Sequence, residues 1–268
     1  MTAPVESVAV VTGGASGIGK ALATAFRDDG MRIVIGDRDV ERLDATVAGL
    51  DSDAVAGVVL DVTDETSVEA FVAVAVERFG RLDVAVNSAG VGWLSPIVDH
   101  TLDDWNTVVD ICLTGTFLSI KHEARAIRAG GDGGVIVNLA SLNATQPAEG
   151  MAPYCAAKAG VEMLTRVAAM ELGGDAIRVV GIAPGVIETP LTELLVGHEP
   201  ARDAFVHNTP IARVGTTTDI VAAARFLASD DASWVSGETL YVDGGARTRE
   251  YPRLLGLFGV GDSSPQPT

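Results

Sequence analysis

The sequence has few cysteines, little positive charge and no long apolar run. It holds 268 residues and only two cysteines, Cys112 and Cys155, which are too few for the disulfide framework of a secreted scaffold. Lysine and arginine total 19 against 36 aspartates and glutamates, and the net charge of −17 argues against nucleic acid or an anionic membrane surface as a partner. No apolar run could span a bilayer, and no basic segment with an apolar run opens the chain. These absences predict a cytoplasmic protein that binds neither nucleic acid nor membrane.

Apolar residues are abundant, at 47% of the chain, and they cluster in short runs rich in valine and isoleucine. Runs without polar interruption are typical of parallel strands that are covered on both faces. The predicted strands are 8–12, 32–37, 56–61, 82–87, 134–141, 177–184 and 239–245. The predicted helices between them include 18–29, 39–49, 65–79, 103–129 and 155–172. This alternation predicts an α/β fold with a single-domain Rossmann-type, doubly wound parallel sheet of about seven strands flanked by helices.

No linker or repeat divides the sequence, so one domain is predicted over residues 1–248. Within it, the stretch 188–212 contains three prolines and looks irregular, which is typical of a lid or a substrate-binding loop. Residues 249–268 form an extension. Its apolar part, 249–259, would dock on a neighbouring subunit or cap a pocket. Its last residues, "GDSSPQPT", are predicted to be disordered.

A glycine-rich turn, "TGGASGIG" at 12–19, lies between the first predicted strand and the first long helix. Gly13 permits a tight turn, Gly17 allows the backbone to approach a pyrophosphate, and Gly19 allows the helix to pack close to the sheet. The free N–H groups at the helix N-terminus attract phosphate. The turn therefore predicts a dinucleotide site formed by Gly13, Ser16, Gly17, Ile18 and Gly19.

Asp37 ends the second predicted strand, about 20 residues beyond the glycine turn. A carboxylate there can accept hydrogen bonds from the adenosine ribose hydroxyls, and it would repel a 2′-phosphate. Arg38 could act in the opposite sense by pairing with that phosphate, or it could stack on adenine. Because the repulsion should dominate, the sequence predicts NAD as the cofactor in preference to NADP.

A candidate acid/base pair lies in "YCAAK", where Tyr154 and Lys158 are four residues apart and would share a helix face. A free phenol has a pKa of about 10, and a nearby ammonium lowers it. Ser141 ends a predicted strand, at the edge of the sheet where open α/β folds bind ligands. Its hydroxyl could bind a substrate oxygen beside the phenol, which makes the three residues a plausible catalytic group.

With these motifs in place, the chain resembles the classical short-chain dehydrogenase/reductase family over about residues 5–245. The matching stretches are "TGGASGIG", "LDVT" (60–63), "NSAG" (87–90), "LTGTF" (113–117), "NLAS" (138–141), "YCAAK", "PGVIET" (184–189) and "VSGETLYVDGG" (235–245). The resemblance implies one Rossmann-type domain, usually assembled as a homotetramer. It also implies hydride transfer between a nicotinamide and a carbonyl or hydroxyl group.

The resemblance also implies roles for individual residues. Tyr154 would donate or accept the proton, Lys158 would lower the pKa of Tyr154 and hold the nicotinamide ribose, and Ser141 would position the substrate oxygen. The further cofactor contacts it implies are Asp61 and Val62 at the adenine, Asn87, Ala89 and Gly90 at the adenosine half, and Pro184, Gly185, Ile187 and Thr189 at the carboxamide. No metal site is expected.

Three positions depart from the family pattern, of which Ser88 and Val180 look milder than Cys112. Cys112 stands where the family usually has a catalytic asparagine that helps to hold a water in a proton relay. A thiol is a weak donor and a weak acceptor, so it would replace an amide only in part. Either the backbone holds the relay water and Cys112 is tolerated, or turnover is impaired and the protein is an NAD-binding sensor. A redox role for Cys112 is a third alternative, although no basic neighbour in sequence would activate the thiol.

The predicted function is NAD-dependent interconversion of a secondary alcohol and a ketone, with a small-molecule alcohol or ketone as the substrate. The alternatives are a catalytically impaired NAD-binding protein, a 3-oxoacyl thioester reductase, and an epimerase or dehydratase on the same fold. An apolar pocket would favour a hydroxysteroid, a cyclic alcohol or a 3-hydroxyacyl thioester over a sugar. The residues predicted to line it are Ser141, Asn143, Gln146, Met151, Leu191 and Leu195.

Overall fold

Seven parallel strands form the central sheet of the computed structural model, which describes residues 7–50 and 53–260. The strands are β1 (Val8–Thr12), β2 (Arg32–Asp37), β3 (Val55–Val59), β4 (Val84–Asn87), β5 (Gly134–Leu139), β6 (Ile177–Pro184) and β7 (Thr239–Val242). Their order across the sheet is β3-β2-β1-β4-β5-β6-β7, and every neighbouring pair is parallel. The prediction of an α/β fold with about seven parallel strands is confirmed.

Helices cover both faces of this sheet. They are α1 (Gly17–Asp28), α2 (Val40–Leu50), α3 (Glu65–Phe79), α4 (Leu102–Val109), α5 (Gly115–Gly130), α6 (Ala152–Leu172), α7 (Glu193–Gly197), α8 (Glu199–His207), α9 (Thr217–Ala228) and α10 (Leu254–Leu257). Phe26 of α1 and Ile220 of α9 belong to the core on one face, whereas Phe71 of α3 and Ile127 of α5 belong to the core on the other. Because both faces are buried, the strands need apolar side chains on both sides, which explains their uninterrupted apolar runs.

The order of the strands reverses at β1, which creates the crevice where the candidate site lies. The chain runs outward from β1 to β2 and β3, and then returns to place β4 on the other side of β1. Thr12 is paired with Gly36 of β2 and with Asn87 of β4, so these strands end nearly level. Ligands of open α/β sheets bind in the crevice beyond such strand ends.

The helix predicted over 103–129 is interrupted. A π-helical turn, Asp110–Thr114, separates α4 from α5, and it contains Cys112. The extra residue in such a turn widens the helix locally, and π turns are frequent at functional sites. The apolar pattern continues through the interruption, so periodicity alone could not reveal it.

The segment at 190–212 is more regular than the sequence suggested, because it contains α7 and α8. Pro190 opens a 3₁₀ turn, Pro190–Thr192, and Pro200 lies in the first turn of α8. The N–H that proline lacks has no partner within the helix at these positions, so proline starts a helix there without loss. Helix α9, Thr217–Ala228, has no counterpart among the helices predicted from the sequence.

The C-terminal extension folds back onto its own chain. Leu254 of α10 is fully buried. The ring of Tyr251 meets that of Phe205 in α8 edge to face, with their centroids 5.5 Å apart. The extension therefore packs over a pocket of the same chain, which is one of its two expected placements. Residues 261–268, which are predicted to be disordered, lie outside the described residues.

Two absences hold for residues 7–50 and 53–260. No helix there is long and apolar enough to cross a membrane. No group of three histidine, cysteine, aspartate or glutamate side chains there is placed to hold a metal ion.

Candidate active site

The glycine turn connects β1 to α1 and leaves no room for a Cβ at Gly13 or at Gly19. Gly13 and Gly17 have positive φ angles of 64° and 50°, which favour glycine. A Cβ added to Gly13 would lie 2.9 Å from the Cα of Ala89, and one added to Gly19 would lie 2.3 Å from the carbonyl oxygen of Gly13. The two strand ends therefore approach each other backbone to backbone. The positive φ of Gly13 fits the tight turn expected there, and Gly19 packs against Gly13 and Ser88.

A cavity of about 340 Å³, called here the cofactor cleft, extends from this turn across the ends of β2, β3 and β4. The predicted residues that line it are Gly13, Ser16, Gly17, Ile18, Gly19, Asp37, Arg38, Asp61, Val62, Ala89, Gly90 and Thr189. Arg42 and Ser88 also line it and were not predicted. The charged lining residues and the glycine turn fit a dinucleotide.

Asp37 is held in place at the edge of the cofactor cleft. Its Oδ2 accepts a hydrogen bond from the N–H of Ala15 at 3.0 Å, and its Oδ1 accepts one from the N–H of Asp39 at 3.1 Å. A carboxylate oxygen can accept more than one hydrogen bond, so acceptor capacity remains toward the cleft. Asp61 is fixed similarly, because Thr63 donates to it through both its N–H and its hydroxyl, which holds the pKa of Asp61 below its usual range.

Tyr154 and Lys158 lie in the first turns of α6 and face the end of β5. The Nζ of Lys158 is 5.7 Å from the centroid of the Tyr154 ring and donates a hydrogen bond to the carbonyl oxygen of Leu139 at 2.6 Å. Ser141 follows β5, and its hydroxyl hydrogen-bonds with Tyr154. The Oγ of Ser141 also accepts a hydrogen bond from the N–H of Asn143 at 3.1 Å. The structure thus brings together the three residues of the predicted catalytic group.

Burial controls the protonation of this group. It raises the pKa of Tyr154 above the usual range of a phenol, and hydrogen bonding with Ser141 opposes that shift. Burial also lowers the pKa of Lys158. Lys158 was expected to lower the pKa of Tyr154, but burial has the larger effect in the chain alone. Both side chains are therefore shifted toward their neutral forms.

Cys112, in the π-helical turn, lies beside this catalytic group. Its Sγ accepts a hydrogen bond from the N–H of Val91 at 3.5 Å and donates one to the carbonyl oxygen of Val91 at 3.4 Å. A Cβ added to Gly90 would lie 3.7 Å from this sulfur and 3.8 Å from the Nζ of Lys158, so Gly90 separates the two. The thiol is fully buried and satisfied by backbone groups. The second cysteine, Cys155, is half-buried and also free.

A smaller cavity of about 100 Å³ joins the cofactor cleft to the catalytic group. The predicted residues that line it are Ile18, Gly90, Ser141, Tyr154, Lys158, Pro184, Gly185, Ile187 and Thr189. It is the predicted position of the nicotinamide end, and the residues expected there from four separate motifs meet in it.

Asn87 is the one predicted cofactor residue that lies outside these cavities. Its Nδ2 donates to the Oε2 of Glu123 at 2.9 Å and to the Oδ1 of Asn138 at 3.0 Å. Asn138 in turn donates to Thr165 at 3.0 Å. Asn87 therefore ties β4 to β5 and α5 from inside the protein. Its chain neighbours Ser88 and Ala89 line the cofactor cleft instead.

Glu123 is a buried carboxyl residue that no sequence motif identified. It is fully buried in α5, and burial raises its pKa to about 8, although the hydrogen bond from Asn87 opposes the shift. Its second oxygen, Oε1, has no hydrogen-bond partner among the described residues. A carboxyl in this environment is held in its neutral form at neutral pH.

On the other side of Tyr154 lies a cavity of about 260 Å³, called here the substrate cavity. Of the residues predicted to line it, Ser141, Asn143, Met151, Leu191 and Leu195 do so. Gln146 lies outside it, because its amide donates to the carbonyl oxygen of Arg249 and ties down the start of the extension. The lining residues that sequence reasoning did not single out are Trp93, Leu94, Val186, Thr192, Tyr251, Leu254 and Phe258. None of the residues that line the substrate cavity carries a charge.

Comparison with known proteins agrees with this fold. A family model described as Enoyl-(Acyl carrier protein) reductase matches residues 13–247. The chain is 42% identical to D-threitol dehydrogenase of Mycolicibacterium smegmatis, over 89% of this chain and 92% of that one. It is 39% identical to 3beta-hydroxysteroid dehydrogenase 1 of Eggerthella lenta, over 88% of this chain and 92% of that one. A solved short-chain type dehydrogenase/reductase from Mycobacterium ulcerans superposes with a TM-score of 0.90 at 31% identity, covering 94% of each chain. The chain belongs to the short-chain dehydrogenase/reductase family of oxidoreductases.

Proposed function

We propose that the protein is an NAD-dependent dehydrogenase that interconverts a secondary alcohol and a ketone, with Tyr154 as its general acid/base. The observation that carries this proposal is the position of the catalytic group. Ser141 and Tyr154 line both the substrate cavity and the small cavity that opens into the cofactor cleft. A substrate oxygen held there would contact both hydroxyls and present its carbon toward the nicotinamide end.

The roles of the side chains follow from their contacts. A nicotinamide held by the residues around Lys158 and Thr189 would supply the hydride-transfer chemistry. Ser141 holds the reacting oxygen, and Tyr154 takes the hydroxyl proton during oxidation and returns it during reduction. Lys158 is anchored on the carbonyl of Leu139, and its ammonium form would place a positive charge beside the phenol. That charge would favour the phenolate once substrate and cofactor are in place.

Asp37 supports NAD as the cofactor. Its carboxylate is fixed at the cleft by two backbone N–H groups, where the ribose hydroxyls of NAD could donate to it. A 2′-phosphate at the same place would meet a negative charge. Arg38 and Arg42 also line the cleft, and their positive charges would attract the same phosphate. The ratio of NAD-dependent to NADP-dependent activity would show whether Asp37 or the arginines dominate.

Two alternatives have specific support. Cys112 offers only weak hydrogen bonds at the relay position, which favours a protein that binds NAD with impaired turnover. The chain is also 37% identical to a 3-oxoacyl-[acyl-carrier-protein] reductase of Thermotoga maritima, over 89% of this chain and 96% of that one, which keeps a 3-oxoacyl thioester reductase as a further candidate. The uncharged substrate cavity and Asp37 favour the NAD-dependent alcohol dehydrogenase. The homotetramer expected from the resemblance stays a prediction, which light scattering would test.

The test is to incubate the protein with NAD or NADP and a panel of uncharged secondary alcohols at mildly alkaline pH, and to follow the reduced nicotinamide by absorbance. We expect turnover with NAD, and a loss of roughly 10²–10⁴-fold in kcat for Tyr154→Phe. NAD binding, measured by calorimetry, should survive that substitution. NAD binding without turnover of any alcohol would support the impaired protein, and preference for NADP would contradict the role of Asp37.

A further inference from the structure

The three tyrosines of the chain have different surroundings. Tyr154 is the candidate acid/base. The hydroxyl of Tyr241 donates a hydrogen bond to the Oε2 of Glu162 at 2.8 Å, away from the substrate cavity. Tyr251 lines the substrate cavity, and among the described residues no backbone carbonyl or carboxylate accepts its hydroxyl proton. Tyr251 is therefore a second phenol in the same cavity as Tyr154.

The protein fixes the ring of Tyr251 firmly. Phe205 packs against it at an interplanar angle of 78°, which is the favourable edge-to-face arrangement. The next residue, Pro252, is buried, and Leu254 anchors the following turn with no exposure. The amide of Gln146 holds the carbonyl of Arg249 on the other side. A side chain positioned by packing on both sides loses little conformational freedom when it binds a ligand.

Tyr251 is also connected to the catalytic group. The side chain of Asn143 interacts with the hydroxyl of Tyr251, and the N–H of Asn143 donates to the Oγ of Ser141 at 3.1 Å. Ser141 contacts Tyr154, so the polar groups form a short row across the cavity. Burial raises the pKa of Tyr251 above its ordinary range, which keeps the phenol neutral and able to donate at physiological pH.

The rest of the cavity offers little other polarity. Trp93, Leu94, Met151, Leu195 and Phe258 supply apolar walls. Thr192 is the other hydroxyl, and it already donates to the carbonyl of Ile187. A charged substrate group would be buried there without a partner, at a high cost in free energy. A volume of about 260 Å³ also lies just below the range of roughly 300–1,000 Å³ of pockets for drug-sized ligands, which favours a small substrate.

We propose that Tyr251 donates a hydrogen bond to a second oxygen of the substrate, so that the substrate class is a small uncharged diol or hydroxyketone. This inference rests on the proposed alcohol dehydrogenase function. The first oxygen reacts between Ser141 and Tyr154. The second accepts a hydrogen bond from the phenol of Tyr251, which belongs to the C-terminal extension.

The experiment compares alcohols that differ only in a second hydroxyl. Cyclohexanol, cyclohexane-1,2-diol and cyclohexane-1,4-diol are oxidised with NAD by the wild-type protein, Tyr251→Phe and the control Tyr241→Phe. The measured quantity is kcat/KM per reactive hydroxyl. The ratio of this value for a diol to its value for cyclohexanol isolates the effect of the second oxygen. The control removes a tyrosine hydroxyl that is engaged with Glu162 outside the cavity. Circular dichroism confirms that each variant folds.

We expect the wild-type protein and Tyr241→Phe to prefer at least one diol by roughly three- to tenfold, the effect of one neutral hydrogen bond. In Tyr251→Phe that ratio should fall to near one, mainly through a higher KM for the diol. Cyclohexanol oxidised as well as both diols by the wild-type protein would overturn the inference and leave the dehydrogenase intact. A diol preference that persists in Tyr251→Phe would do the same. No turnover of any alcohol with either cofactor would remove the proposed function, and this inference with it.

Discussion

The cofactor cleft and the substrate cavity meet at Tyr154, yet they are built in opposite ways. The cofactor cleft is walled by strand ends and a glycine turn, and five charged residues line it: Asp37, Arg38, Asp39, Arg42 and Asp61. The substrate cavity is walled by loops, short helices and the extension, and no lining residue is charged. One half is thus defined by backbone geometry and charge, and the other by the packing of apolar side chains.

This contrast predicts that the two halves respond to different perturbations. Substitutions that change a charge, or that add a Cβ where two backbone segments approach each other, should affect cofactor binding in the cofactor cleft. Substrate recognition should respond to the size of side chains and to single hydroxyls. Three substitutions outside the substrate cavity test whether the division holds, beginning with the largest expected effect.

The largest effect should come from Glu123, which is buried in α5 and accepts a hydrogen bond from Asn87. Its pKa of about 8 is well above the ordinary value of 4.5, so its contribution to stability is present at acidic pH and is lost as the pH rises through about 8. Glu123→Gln stays neutral throughout. At about 1.4 kcal/mol per pH unit, the variant should be more stable than the wild-type protein above pH 8, by several kcal/mol at most.

Thermal unfolding between pH 5 and pH 9 measures this difference. The matched control is Asp219→Asn. Arg213 holds the pKa of Asp219 far below its usual range, so that carboxylate does not titrate in this window and its loss should change stability by a constant amount. If the unfolding temperatures of the wild-type protein and Glu123→Gln followed the same pH dependence, Glu123 would not be the buried acid described here.

The second effect should come from Gly19→Ala in the glycine turn. The new Cβ would lie 2.3 Å from the carbonyl oxygen of Gly13 and 2.5 Å from the Oγ of Ser88. Relief of that overlap costs about 1–3 kcal/mol, which corresponds to a rise of roughly 5- to 150-fold in the dissociation constant for NAD. Calorimetric titration with NAD provides the measurement.

Gly49→Ala is the matched control, because it lies in α2 with nothing within 4 Å of the added Cβ. It should leave NAD affinity unchanged and raise stability slightly, since alanine favours a helix. Equal NAD affinity in Gly19→Ala and Gly49→Ala would mean that the close approach at the turn does not determine cofactor binding.

The smallest effect should come from Cys112, which lies near Gly90 and Lys158. Its thiol makes only long hydrogen bonds with the backbone of Val91. Cys112→Asn should therefore change kcat by less than about fivefold, an amount consistent with one weak hydrogen bond. Cys112→Ser, which is nearly isosteric, separates hydrogen bonding from size. A much larger gain in Cys112→Asn would support the impaired NAD-binding protein.

The same contrast explains how much could be predicted from the sequence. The sheet and the glycine turn follow local rules, because an apolar run fits a covered strand and a residue without Cβ fits a backbone contact. Gly13, Asp37 and Tyr154 could therefore be found by their spacing along the chain, and the structure places them as expected.

The substrate cavity could not be predicted to the same degree. Trp93, Val186 and Tyr251 lie far apart in the chain, and nothing near them in sequence indicates that they share a wall. Asn87 shows a related limit, since a residue in a familiar motif can point inward while its neighbours face the cleft. Which way a side chain at a strand end turns depends on partners such as Glu123, and these are known only from the fold.

The docked extension has a consequence for how such a protein can diversify. Synthesis completes β7 before it reaches Tyr251, and the sheet and cofactor cleft need no residue of the extension. Mutations in the extension would therefore change one wall of the substrate cavity and leave the sheet and the cofactor cleft untouched. Directed evolution confined to this terminal segment is a direct way to seek a new specificity without altering the rest of the fold.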